Sequence, residues 1–213
     1  MFPTATADFL EYERFMVIKS LKPFIDEGKI KVYSIDSINP STWLTAGSPG
    51  RHASWWHHEY NYYLSEEVVP FIYNDCGGQT PIITSGASFG ALHAANTFFR
   101  RPDLFRGVIA LSGSYDLHDY TKGYSDDLTY FNSPVHYMQG WHDGDIWQQQ
   151  AHSMGIVLAT GQGKWEKPSR TVDMSNVLNS RSIPHWLDLW GHDMPHDWTT
   201  WRDMWPYFIS HFV

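Results

Sequence analysis

Apolar positions switch between two spacings along the chain. From Asp8 to Asp26, residues Phe9, Tyr12, Phe15, Met16, Ile18 and Leu21 recur near helical spacing. KIKVYSID, Lys29 to Asp36, is rich in β-branched residues and tyrosine and predicts a strand. Asn39-Pro40 and Gly47-Ser48-Pro49-Gly50 mark a loop, and Ser54 to Tyr73 predicts a very aromatic helix. Thr80 to Gly90 (TPIITSGASFG) predicts a short strand entering a glycine-rich turn, and Ala91 to Pro102 a helix stopped by proline. Phe105 to Asp116 predicts a buried strand with a polar end. An irregular stretch follows to about Trp147, then a helical piece and a strand over Gly155 to Thr160. Val172 to Arg181 predicts a helix, His185 to Gly191 the last strand, and Trp198 to His211 a closing helix. This alternation predicts an α/β fold on a mostly parallel sheet, and no repeat or linker divides residues 1–213, so a single domain is expected.

Composition narrows the function. Hydrophobic residues make up 42% of the 213 and charged residues 18%, the balance of a globular protein rather than a disordered one. With Lys+Arg 15 against Asp+Glu 23 the net charge is −8, so no basic stripe is there to neutralise phosphates and no nucleic-acid partner is expected. No apolar run is long enough to span a bilayer, and the opening MFPTATADFLEYERF lacks a signal peptide's basic start and apolar run, so a cytoplasmic location without membrane partners is expected. A lone cysteine, Cys76, excludes an internal disulfide and a cysteine zinc cage.

Gly86-Ala87-Ser88-Phe89-Gly90 is a G-x-S-x-G between a predicted strand and a predicted helix. A serine there sits on a strained turn, with glycines where neighbouring backbone passes too close for side chains. Ser88 is therefore the candidate nucleophile, and the N–H of Phe89 the first donor to an oxyanion. A hydroxyl needs a base, and the base a carboxylate; on such folds the chain order is Ser, acid, His. His196 lies on the loop after the last strand and is the candidate base, with His192 as the competitor. For the acid, Glu166 in the loop after Gly155 to Thr160 stands first, ahead of Asp116 after the preceding strand and Asp173.

Two other chemistries compete. His57-His58-Glu59, or His192 and His196 with Asp193 and Asp197, could hold a metal; Pro195 forbids the helix that would align the second pair, and Trp55 to Tyr60 reads as a helix face with satisfied histidines, so neither metal nor cofactor is expected. Trp43, Trp55, Trp56, Trp141, Trp147 and Trp165 could form a binding platform or line a pocket beside Ser88.

Three blocks, GASFGALHAANTFFRRPDLFRGVIALSGSYD, YFNSP and SIPHWLDLWGHDMPHDWTTWRDMWPYF, resemble the esterase-D-like esterase family of the α/β-hydrolase superfamily. The resemblance implies a three-layer α/β-hydrolase and a carboxylesterase with Ser88 and His196 at the nucleophile and base positions. That family usually carries Asp near Lys164, so Glu166 is implied only as a replacement from the same loop. The resemblance also places Phe2-Pro3 at the tail of the third strand, with the earlier N-terminal strands missing. Ala5, then Thr4, falls on the loop that gives the second oxyanion N–H. With a central strand missing, either KIKVYSID pairs directly with PIITSG in a shortened sheet, or another chain covers the edge, as in a homodimer. The expected activity is hydrolysis of small-molecule esters, short-chain or small aromatic, with an acyltransferase or an inactive binding scaffold as alternatives.

Overall fold

The computed structural model describes residues 1–45, 50–142 and 144–213, without the side chains of Ile146 and Trp147. The turn at Gly47 to Pro49 and the Trp147 ring thus lie outside the described residues. Among the described residues four strands form one all-parallel sheet in chain order: β1 Ile83–Ala87, β2 Gly107–Leu111, β3 Gly155–Thr160 and β4 Trp186–Leu189. Five main helices flank it: α1 Val17–Asp26, α2 Arg51–Tyr63, α3 Phe89–Arg100, α4 Pro168–Ser180 and α5 Trp198–Ile209. No helix among the described residues is long and apolar enough to cross a membrane.

Strand alternation makes three layers. Val108, Ala110, Ile156 and Leu158 point to one face, where they pack with Ala94 and Phe98 of α3, Tyr60 of α2 and Met174 and Leu178 of α4. Ile109, Leu111, Val157 and Ala159 point to the other, under Leu21 of α1 and Trp201, Met204, Trp205 and Phe208 of α5. Continuous apolar strands such as GVIAL are what a sheet covered on both faces requires.

The helix expected from Asp8 to Asp26 is divided, because Met16 adopts φ 63° between Glu11–Arg14 and α1. The strand expected over Lys29 to Asp36 does not form, nor does it pair directly with PIITSG. Met1 and Phe2 lie between the two. Met1 N donates to Tyr33 O (2.6 Å), Ile35 N to Met1 O (3.2 Å) and Phe2 N to Ser85 O (2.8 Å). This two-residue bridge holds the segment away from β1, so its β-branched residues have no ladder to join. An apolar cleft of about 490 Å³ opens between them, lined by Val32, Tyr33, Leu64, Ile82 and Ile83 among others.

Of the candidate platform, Trp43 and Trp141 are core residues, whereas Trp55, Trp56 and Trp165 are exposed. His57 is buried and accepts from the Trp43 indole (3.0 Å), but among the described residues its Nε2 and the Nδ1 of His58 meet no hydrogen-bond partner, so these histidines are only partly satisfied. His93 is buried beside it and pairs with Asn39 (2.9 Å). Burial pushes the His93 imidazole down to about 3 and holds His57 well below its ordinary value. Both are neutral in the fold and bind a proton only on unfolding, so the stability they contribute is complete above the unfolded value near 6.5 and declines as pH falls toward the folded one. For His93 this costs about 1.4 kcal/mol of stability between pH 8 and pH 5.5, and His57 acts in the same direction. Urea unfolding at the two pH values should register that loss, and His93→Gln should shrink it.

Candidate active site

The turn at Ser88 is strained by design of its neighbours. Ser88 has φ 56° and ψ −121° as it leaves β1 and enters α3. A Cβ on Gly86 would lie 2.3 Å from Gly90 O, and one on Gly90 2.2 Å from Phe2 O, so only glycine permits the elbow under the crossing N-terminal chain. The serine hydroxyl is thereby lifted over the C-terminal edge of the sheet.

The other polar groups come from the ends of the following strands. His196 Nε2 lies 3.0 Å from Ser88 Oγ, and its Nδ1 lies 3.0 Å from Glu166 Oε2. The Glu166 side chain is 1% exposed, so its carboxylate must be satisfied by neighbours rather than by water. Ser112 Oγ donates to it at 2.6 Å, Thr160 Oγ1 at 3.1 Å and Gly161 N at 3.3 Å. Ser112 is held in turn by the Trp201 indole (3.0 Å), whose ring also meets the His196 imidazole edge-on at 4.9 Å.

The acid loop and the histidine loop touch backbone to backbone. Gly163 N donates to Met194 O (2.9 Å) and His196 N to Lys164 O (3.0 Å). A Cβ on Gly161 would stand 2.1 Å from Met194 O, and one on Gly163 2.7 Å from Met194 main chain. Lys164, where the resembling family usually carries Asp, instead lies over the Trp165 ring (4.0 Å), and the longer Glu166 side chain reaches the imidazole from two residues on.

The remaining candidates are placed elsewhere. His192 is exposed, Asp173 is exposed on α4, and Asp116 pairs with His118 and His136 rather than His196. Thr4 N donates to Glu11 (2.7 Å), which removes it as an oxyanion donor. Among the described residues no such bond engages the Ala5 amide, and Ala5 packs in the cluster holding Phe89. The Phe89 amide is one of the unpaired first N–H groups of α3. Sequence reasoning missed Ser112, Thr160 and Trp201; Ser112 carries a local signal, since LSGS ends an otherwise apolar strand. Beside Ser88 and His196 a polar pocket of about 180 Å³ is lined by Ser112, Ser114, Tyr120, Trp165 and Arg170, among others.

This geometry meets a family-level match. The family described as "Putative esterase" matches residues 48–205. The chain belongs to that esterase family, and is a hydrolase of the α/β-hydrolase fold. Solved structures agree on the fold. A ferulic acid esterase superposes with TM-score 0.67 at 17% identity, covering 95% of this chain and 79% of that one. FphF, a fluorophosphonate-binding serine hydrolase from Staphylococcus aureus, gives TM-score 0.61 at 12% identity, covering 98% and 80%. An S-formylglutathione hydrolase, FrmB, from the same organism gives 0.59 at 15% identity, covering 98% and 78%. No curated protein matches this esterase.

The glycine contacts between the two loops make a stability prediction. Gly161→Ala drives a methyl into Met194 main chain and should cost about 1–3 kcal/mol in urea unfolding. Gly140→Ala, whose Cβ would meet nothing nearer than 3.8 Å, should change stability by under about 0.5 kcal/mol.

Proposed function

We propose that this esterase is a serine carboxylic ester hydrolase that works through an acyl-enzyme on Ser88. The observation that carries the reading is the unbroken line of contacts from Ser88 Oγ through His196 to a buried Glu166, 3.0 Å at each step. His196 Nε2 takes the hydroxyl proton as Ser88 Oγ attacks the ester carbonyl carbon. Glu166 fixes the ring so that Nδ1 carries the other proton, and it stabilises the imidazolium that forms. The tetrahedral oxyanion is bound by the Phe89 N–H, with Ala5 N–H as second donor, each contributing about 3–4 kcal/mol. As that intermediate collapses, His196 gives its proton to the departing alkoxide. It then activates water to release the acid and restore Ser88.

The space beside Ser88 supports a reading of the substrate class. A pocket of about 180 Å³ beside Ser88 suits a short acyl chain or a small aromatic ring rather than a long lipid tail. Tyr120 and Trp165 offer flat apolar faces, and Ser114 and Arg170 offer polar ones. No step of this reaction calls on a cofactor.

A fluorophosphonate probe tests the reading directly. Peptide mapping should find one adduct per chain, on Ser88, and His196→Ala should suppress it. Failure of the folded protein to take any adduct would sink the acyl-enzyme proposal. With p-nitrophenyl esters, Ser88→Ala should lower kcat by about 10⁴- to 10⁶-fold, and Glu166→Gln by about 10³- to 10⁴-fold. Turnover of p-nitrophenyl butyrate should exceed that of p-nitrophenyl octanoate; the reverse order would overturn the assignment to short acyl groups.

A further inference from the structure

Asp116, His118 and His136 lie apart from the Ser88–His196–Glu166 line, yet gather three metal-ligating side chains at one point. Asp116 Oδ1 is 2.8 Å from His118 Nδ1, and Asp116 Oδ2 is 2.9 Å from His136 Nε2. One ligand atom from each residue falls within 4.8 Å of the others. We propose that these three side chains bind one divalent transition-metal ion, with zinc as the best fit.

The donor set suits zinc, which takes imidazole nitrogen and carboxylate oxygen in a tetrahedron, here with water as fourth ligand. Bond lengths of about 2.0–2.2 Å place tetrahedral ligand atoms roughly 3.4 Å apart, so entry of the ion requires the present spacings, which lie within 4.8 Å, to change by roughly 0.5–1.5 Å. Partial exposure of all three side chains, 28%, 33% and 39% for His118, Asp116 and His136, leaves the ion a route in and the water a place.

The surroundings hold the ligands in place. Asp116 caps the turn Leu117–Tyr120 by accepting from His118 N (2.9 Å). Behind His118, its Nε2 lies 3.3 Å from Ser125 Oγ and 3.4 Å from Thr129 Oγ1. A metal on Nδ1 needs the ring proton on Nε2, and these hydroxyls are there to accept it, the outer contact that metal-binding histidines require. The same exchange frees His136 Nε2 by moving its proton to Nδ1. No redox step is involved, and the set carries one negative charge toward a doubly positive ion.

Zinc there would tie together a segment that otherwise has only short helices, Leu117–Tyr120, Asp127–Tyr130 and Pro134–Tyr137, and that supplies Tyr120 to the pocket wall. Chelator-treated protein should take up one equivalent of zinc by calorimetry, with a rise in Tm. Cobalt should give the d–d absorption of a tetrahedral nitrogen–oxygen site. His136→Gln and His118→Ala should each weaken uptake by at least about tenfold, whereas His192→Ala, which removes an exposed histidine elsewhere, should not. If the folded wild-type chain takes up neither metal, or if the His136 and His118 variants bind as tightly as wild type, the site does not exist.

Discussion

The structure around the site turns on one buried carboxylate. An ionised side chain that is 1% exposed is costly unless its oxygens are hydrogen-bonded, and Glu166 is bonded by a serine, a threonine, a main-chain amide and an imidazole. Those four donors come from the end of β2, the end of β3, the loop that follows β3 and the loop that follows β4. Satisfying one charge therefore fixes the relative position of three strand ends. His196 is oriented by the same requirement, since the nitrogen that faces Glu166 decides which nitrogen is left for Ser88.

Parallel strands make this convergence inexpensive. All four run the same way, so each delivers its following loop to one edge of the sheet: Ser88 after β1, Ser112 after β2, Glu166 after β3 and His196 after β4. Glycine then lets the loops close on one another without side chains between them. Gly86 and Gly90 do so at the elbow, and Gly161 and Gly163 under Met194. Beneath, Trp201 of α5 ties the helix layer to Ser112 through its indole, so the apolar packing of α5 and the polar bonding of the site share one residue.

What was legible in the chain were features whose cause is local. G-x-S-x-G announces an elbow because Gly86 and Gly90 approach each other within five residues, although Gly90 also has to clear the distant Phe2 main chain, and GVIAL announces a buried strand because both its faces are apolar. Ser88, His196 and Glu166 could be ranked from their places after strands. Features fixed by distant partners were not legible. KIKVYSID has strand composition, but whether it enters the ladder depends on Met1, which occupies its hydrogen-bonding edge at Tyr33 and Ile35, and on Phe2, which takes up Ser85 of β1. Thr4 suited an oxyanion donor by position, but Glu11 seven residues on takes its amide. Asp116 suited a triad acid by position, and no nearby pattern signalled that His136, twenty residues on, would fold against it.

Glu166 and Asp116 make the sharper comparison, because each is a carboxylate against imidazole at nearly the same distance. They differ in what else reaches the oxygens and in how much water does. Glu166 is sealed, holds one histidine, and has its other capacity filled by hydroxyl and amide donors, so it has no lone pair left for an ion. Asp116 is a third exposed and divides its two oxygens between two histidines. A sealed carboxylate with one imidazole orients a base and little else. An open carboxylate with two imidazoles has the ligand count and solvent access of a cation site. The same pair of residue types is thus suited to orienting a base in one place and to ligation in another by burial and by the number of histidines it meets.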